Sequence, residues 1–274
     1  MEGRGWPKGV TRTAPTYSIC ATNYNSERRL RESLESIINQ IDSSFEIVIV
    51  DSMSTDDSKE ILKHYSDEGA IKLFRVHCSR GKGRQIAFEK CSGKYVISNL
   101  DFDDVFKPRL RELLTKYHNA CEGYLLWARS LDSRSFWGEE GFMVAPRTLI
   151  ARTGGWRDLQ IGEDWELARR VAAVGSYKWS YFKLMEDINP HPERNTAFGK
   201  MKYRYVRYRD LMRCGRAVFT NGERISLGQR VSLLAAKVSL PFCESYESGD
   251  PQDFAPHSPE YFIDLGEGLA PGRF

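Results

Sequence analysis

The chain of 274 residues is notable first for what it lacks. No stretch approaches the roughly 18–20 uninterrupted apolar residues of a membrane-spanning helix. Met1 to Pro15 is polar, without the apolar segment of a secretory signal, so a flexible amino-terminal segment (1–15) and a cytoplasmic address are expected. The six cysteines (Cys20, Cys78, Cys91, Cys121, Cys214, Cys243) form no Cys-x-x-Cys pair, so reduced, buried thiols are expected over disulfides or a zinc site. No Gly-x-Gly-x-x-Gly follows the first apolar run, which weighs against a dinucleotide oxidoreductase, and no P-loop signature suggests an ATPase. Excess charge of one sign is also missing. Forty Lys and Arg against 37 Asp and Glu leave +3, too little by itself to argue for a polyanionic partner.

What is present is an ordinary globular composition, 41% hydrophobic and 12% aromatic, long enough to bury a substantial core. Tyr17 to Thr22 reads as a buried strand. A helix capped by Ser26 runs to about Gln40, with Leu30, Leu34, Ile37, Ile38 and Ile41 on one face. Phe45 to Val50 is a second strand ending at Asp51, and Ser54 to Asp57 opens a second helix. Ile71 to Val76 is a more polar, edge-like strand. Gly83 to Cys91 is a helix, and Lys94 to Leu100 a fourth strand. Strands separated by helical patterns predict βαβ units and an α/β fold with a mostly parallel sheet flanked by helices. Further on come a helix over 108–117, a strand over 124–128, a glycine-rich turn region over 136–145, a helix over 146–153, an amphipathic helix over 163–174 and a strand over 177–184.

Polar groups gather where the strands end. Asn23-Tyr24-Asn25 follows the first strand, Asp51 the second, and Asp101-Phe102-Asp103-Asp104 the fourth. Ligands bind outside the carboxyl ends of strands in open α/β sheets, and convergent polar groups there make a nucleotide pocket. Two or three carboxylates released from a buried strand build a hard-oxygen site for Mg²⁺ or Mn²⁺; an Asp-rich turn and helix cap is the plainer alternative. Arg80-Gly81-Lys82-Gly83-Arg84 opens a helix and is suited to phosphate, or is simply a solvated helix start. Glu163-Asp164 falls at a helix amino terminus, where the helix dipole stabilises carboxylate; one such carboxylate can take a proton from an attacking hydroxyl. Gly155-Trp156 offers either an aromatic surface for a sugar or a core tryptophan beside a helix cap. His191, between prolines, is a candidate third metal ligand or a structural loop histidine.

Taken in order, "CATNYNSE", "FEIVIVDSMSTDDS", "GKGRQIAF", "GKYVISNLDFDD", "GGW" and "GEDWELARR" resemble the family 2 glycosyltransferases of GT-A fold from about Tyr17 to His191. The resemblance implies an inverting, metal-assisted transfer from a nucleotide-diphosphate sugar, UDP- or GDP-linked, within a catalytic domain over 16–193. It implies Asp51 as the nucleobase contact, Asp101 and Asp103 as ribose and metal ligands, Asp164 as catalytic base, and Asn25 and Glu27 as donor-pocket residues. The expected nucleotide-sugar set is Thr22, Asn23, Tyr24, Asn25, Glu27, Asp51, Arg80, Lys82, Arg84, Asp101 and Phe102. The sugar or acceptor set is Gly155, Trp156 and Glu163, and the metal set Asp101, Asp103 and His191. The Gln-x-x-Arg-Trp signature of processive relatives is absent, so transfer of a single sugar is expected.

Two other readings compete. A nucleotidyltransferase would carry a basic, glycine-rich loop after the first strand, where this chain has Asn-Tyr-Asn-Ser-Glu. A non-catalytic nucleotide-sugar binder would show erosion of the Asp-x-Asp or Glu-Asp pair, and neither is eroded. Residues 194–240 form a basic amphipathic helical region, with Arg and Lys interleaved with Tyr, Leu and Met. It predicts either peripheral contact with an anionic membrane bearing a glycan or lipid-linked acceptor, or helices packed on the domain. No nucleic-acid partner is indicated. Residues 241–274, rich in Pro, Gly and acid, are expected to form an extended tail.

Overall fold

The β-branched and aromatic runs become strands of one sheet. The computed structural model describes residues 14–100, 102, 104–129, 141–187, 196–215, 226–246 and 258–267. Strands β1 (Tyr17–Asn23), β2 (Phe45–Asp51), β3 (Lys72–Arg75) and β4 (Tyr95–Ser98) alternate with helices α1 (Glu27–Ile38), α2 (Ser58–Asp67) and α3 (Arg80–Lys90). Then follow β5 (Asp104–Phe106), α4 (Leu110–Cys121), β6 (Leu125–Arg129), β7 (Gly141–Pro146), α5 (Arg147–Arg152), α6 (Glu163–Ala173), β8 (Tyr177–Tyr181) and β9 (Met185–Asp187). Helices α7 (Ala197–Arg213) and α8 (Leu227–Ser239) come last.

The sheet order is β3-β2-β1-β4-β7-β6-β8, and β5 pairs with β9 in a separate two-stranded sheet. β1, β2, β3 and β4 are mutually parallel, whereas β7 runs antiparallel to both β4 and β6. β3 takes the edge, as its alternating charge predicts. Successive strand residues point to opposite faces, and the core divides accordingly. Ile19, Ala21, Ile47, Ile49 and Ile97 pack with Leu30, Leu34 and Leu62 of α1 and α2 and with Leu113 and Leu114 of α4. Cys20, Val48, Val50 and Val96 pack with Ala87 and Phe88 of α3, Leu149 and Ile150 of α5, and Leu167 and Val171 of α6. The result is a sheet sandwiched between two helical layers. The six cysteines are free thiols, four of them buried.

Two expectations are corrected. Residues 141–145, read from their glycines as part of a turn region, form β7 in the middle of the sheet, with Phe142, Met143, Val144 and Ala145 all buried. Nor is the carboxyl-terminal segment a simple extended tail. Within it, Phe262 bridges to Trp179 of β8, Ile263 N–H donates to the Trp179 carbonyl at 3.0 Å, and Glu267 pairs with Arg109 at 2.7 Å. Phe262 and Ile263 thus cover part of what would otherwise be an open sheet edge at β8.

Candidate functional site

Register brings the first group together. Parallel pairing sets Asn23 directly beside Asp51, and Asp51 beside Arg75, at the carboxyl ends of β1, β2 and β3. The buried Asp51 carboxylate accepts from Asn23 Nδ2 at 2.9 Å, Ser54 N at 3.1 Å and Arg75 Nε at 3.0 Å, and also from the Ser54 hydroxyl. A carboxylate offers about four acceptor positions, so these partners saturate Asp51, and contact with a nucleobase requires it to exchange one of them. Arg75 is the exposed partner of the set and can swing away.

The loops after β1 and β2 are stitched to each other. Asn25 Oδ1 accepts from Thr55 N at 2.9 Å, and Glu27 Oε2 accepts from Asp57 N at 2.9 Å. Asn25 and Glu27 therefore hold the start of α2, while Tyr24 projects into solvent and Thr22 lies half-buried against α3. Asn25, Met53 and Asn99 have φ of 50°, 58° and 61°, a left-handed conformation uncommon outside glycine. They follow β1, β2 and β4, so strained backbone collects at the carboxyl edge of three neighbouring strands, as it does at many functional sites.

The basic turn at α3 divides. Ser79 caps the helix by accepting from Lys82 N at 3.1 Å, and the Lys82 side chain is exposed. Gly81 lies where a Cβ would strike the Arg157 carbonyl, which lets α3 press against the loop that leads into α6. Arg84 turns inward and is fully buried. Its guanidinium donates to Glu163 Oε1 at 2.5 Å, pairs with Asp164, and reaches Asn99 Oδ1 at 3.5 Å. Arg80 stands 3.9 Å from the same Glu163 oxygen.

Glu163 and Asp164 occupy the first turn of α6, where free backbone N–H groups favour negative charge. The other Asp164 oxygen accepts from Trp156 Nε1 at 2.7 Å. Trp156 is thus a buried residue packed near Phe88, and it presents no open face to a sugar. Gly155, at φ 66°, leaves room for the Gln85 amide, whose oxygen accepts from Trp156 N at 2.8 Å. Glu166, one turn further, is buried against Arg157 at 2.9 Å and Arg170 at 2.7 Å and anchors the helix.

The structure therefore gathers two groups: Asn23, Asn25, Glu27 and Asp51 at one edge, and Arg80, Arg84, Trp156, Glu163 and Asp164 beside the end of β4. Phe102, expected in the nucleotide pocket, is buried in the core with Leu100 and Phe106. Asp101, Asp103 and His191 lie outside the described residues. Carboxylate oxygens such as those of Asp101 and Asp103 are a donor set that fits a hard divalent cation. Among the described residues no group of three or more His, Cys, Asp or Glu is placed to hold one. The reading from sequence missed Arg75, Met53, Gln85 and Asn99. Arg75 and Asn99 had a usable signal, since both stand at the end of a strand in the same sheet. Met53 and Gln85 had none. A groove of about 610 Å³ lined by Lys94, Tyr95, Glu122, Arg147 and Arg152 opens instead where β4 begins, away from both groups.

Comparison with known proteins adds the family. The model of glycosyl transferase family 2 matches residues 18–152. EpsE of Bacillus subtilis (strain 168), which bears a glycosyltransferase name, is 31% identical over 219 residues, 70% of this chain and 78% of that protein. Other curated relatives are matched over less of their length: an uncharacterized glycosyltransferase of Nostoc sp. is 34% identical over 94 residues, 33% of this chain and 29% of its own. A mannosyltransferase from Pyrobaculum calidifontis, solved with GDP-Man and Mn²⁺, superposes with a TM-score of 0.56 at 18% identity over 83% of this chain and 70% of that one. The seven-stranded, mostly parallel sheet between helical layers is accordingly a GT-A fold, and the chain belongs to glycosyl transferase family 2.

Proposed function

We propose that this chain transfers a single sugar from a nucleoside-diphosphate sugar to an acceptor hydroxyl on a glycan or lipid-linked acceptor, with inversion at the anomeric carbon. The observation that carries the reading is the carboxylate of Asp164. It is held at a helix amino terminus between Arg84 and the Trp156 indole N–H, beside the end of β4.

In this reading the nucleoside lies along the Asn23–Asp51 edge, with Asp51 trading its Arg75 partner for the base. The acceptor oxygen attacks the anomeric carbon as the bond from that carbon to the diphosphate oxygen breaks. Asp164 takes the proton from the attacking hydroxyl, and Arg84 and Trp156 keep its carboxylate oriented while it does so. In the same reading Lys82, exposed at the start of α3, and Arg80 meet the negative charge that develops on the departing diphosphate. Asp101 and Asp103 would hold a divalent cation, Mn²⁺ or Mg²⁺, which neutralises diphosphate charge when bound. In support, the Pyrobaculum mannosyltransferase is solved with GDP-Man and Mn²⁺, and a Staphylococcus aureus TarS fragment (TM-score 0.53, 15% identity, 83% of this chain and 73% of that one) is solved with UDP-GlcNAc.

Thermal-shift screening against UDP-, GDP- and dTDP-sugars, with and without Mn²⁺, tests the reading, because a ligand that binds the native state raises the melting temperature. One nucleotide class should stabilise the chain in a metal-dependent way. The absence of a shift with every donor would sink the proposal.

A further inference from the structure

Helix α8 is amphipathic in an unusual sense. The side it turns toward α7 carries small residues: Ser232 and Ala236 are buried, and the Ser232 hydroxyl reaches the Met201 carbonyl of α7 at 3.3 Å. Its large apolar residues face the other way. Leu227, Val231, Leu234 and Val238, continued by Phe242 in the following turn, are 49% to 88% exposed. Their spacing of three and four residues places them in one stripe along the helix. A soluble surface scatters exposed aliphatics singly, so an aligned row of five marks a face made to be covered.

The charges of the hairpin indicate what covers it. Lys200, Lys202, Arg230 and Lys237 are exposed, and the single acid of the two helices, Asp210, is buried. A second copy of this chain would bring cation against cation across a two-fold contact. An anionic surface with an apolar interior complements both the stripe and its flanks. No helix among the described residues is long and apolar enough to cross a membrane, and α8, at 13 residues, suits a position in the plane of the interface.

We infer that the α7–α8 hairpin docks the molecule on an anionic lipid bilayer, with the Leu227–Phe242 stripe in the interface and the lysines and arginines at the head groups. The hairpin is fixed to the site. Asp210 accepts from Gln160 N at 2.8 Å and Ile161 N at 3.2 Å, and Arg213 donates to the Asp158 carbonyl at 2.7 Å. These contacts grip the loop that leads into Glu163 and Asp164. Docking therefore sets the orientation of that loop to the membrane plane, where a lipid-linked acceptor would present its hydroxyl; this last step rests on the function proposed above.

Co-sedimentation with vesicles of phosphatidylcholine and phosphatidylglycerol in equal parts, at low and high salt, tests the docking without calling on sugar transfer. The full chain should pellet with the mixed vesicles, less so at high salt, and stay in solution with phosphatidylcholine alone. Leu234→Glu/Val238→Glu should weaken binding by about a hundredfold, a factor of about ten for each apolar side chain withdrawn. Arg230→Glu/Lys237→Glu should weaken it at low salt by about tenfold or more. Both pairs are exposed, so thermal melting and the shift produced by nucleotide sugar should match the parent chain. The inference is overturned if the parent chain fails to bind mixed vesicles at low salt, or if Leu234→Glu/Val238→Glu binds as the parent does. It is also overturned if the same substitutions abolish a dimer seen by sedimentation velocity while vesicles bind neither form, which would assign the face to a second copy.

Discussion

Replacing Arg84 by Met removes the positive charge at the centre of the site while keeping much of the side chain's bulk. Arg84 is buried, and its single positive charge is shared between Glu163 and Asp164, which are themselves only 2% and 6% exposed. With Arg84 gone, Glu163 retains Arg80 at 3.9 Å, and Asp164 retains a neutral donor in Trp156 Nε1. Breaking a buried pair from one side costs about 3–5 kcal/mol, because the orphaned charge stays out of water. For a domain of this size each kcal/mol moves the melting midpoint by about 2–4 °C, so Arg84→Met should melt roughly 6–20 °C below the parent chain. Adding Glu163→Gln removes one orphaned charge and should restore about 1–3 kcal/mol, a coupling that a double-mutant cycle reads directly. Melting followed by circular dichroism, with urea titration of the same four proteins, supplies the cycle. If Arg84→Met melted within a degree or two of the parent, or if Glu163→Gln gave no rescue, the buried charge cluster would not be the element that holds Asp164.

Other expectations follow from the same geometry. Asp164→Asn keeps the Trp156 contact but cannot accept a proton, so turnover should fall by about 10²–10⁴ while donor affinity, read by thermal shift, stays within about twofold; a parallel loss of affinity would place Asp164 in the nucleotide pocket. Burial alone would raise the Glu46 carboxyl, but hydrogen bonds from Lys72, Ser18 and Ser92 outweigh it and hold the group at about 2, below its ordinary 4.5. Its stabilisation is therefore complete above pH 4.5 and lost as pH falls from there toward 2. Glu46→Gln should be less stable at neutral pH by about 2–3 kcal/mol, with a gap to the parent that narrows over that acid window; a gap independent of pH would contradict the assignment. Gly81→Ala puts a methyl into the backbone carbonyls of Arg157 and Leu159 and should cost about 1–3 kcal/mol or more in urea unfolding, whereas a neutral effect would mean that α3 and the loop before α6 are not in contact.

Much of this was legible in the chain. Val48, Ile49 and Val50 read as a buried strand from their β-branched run closed by Asp51, and Leu30, Leu34 and Ile37 as the inner face of a helix from their spacing. Asp51 and the acids after β4 were visible as polar residues closing apolar runs, and Glu163-Asp164 as acids opening a helix. The order of these motifs along the chain pointed to the family before any contact was known.

Partners and faces were decided by the tertiary structure. Phe142 to Ala145 carry no sign that they slip between β4 and β6 in the antiparallel sense, because strand neighbours are chosen by long-range pairing. Arg84 reads locally as one more cation in a phosphate-seeking turn; only the approach of α6 to α3 makes it the counter-charge of Asp164. Trp156 looks equally suited to a sugar or a core until Phe88 and Gln85 close over it. The α8 sequence likewise shows an apolar stripe without saying which side meets the protein. That is set by Ser232 and Ala236, small enough to let the helix backbones approach, and it leaves Leu227, Leu234 and Val238 outside. A sequence fixes the period of its apolar residues, but only packing fixes what stands opposite them.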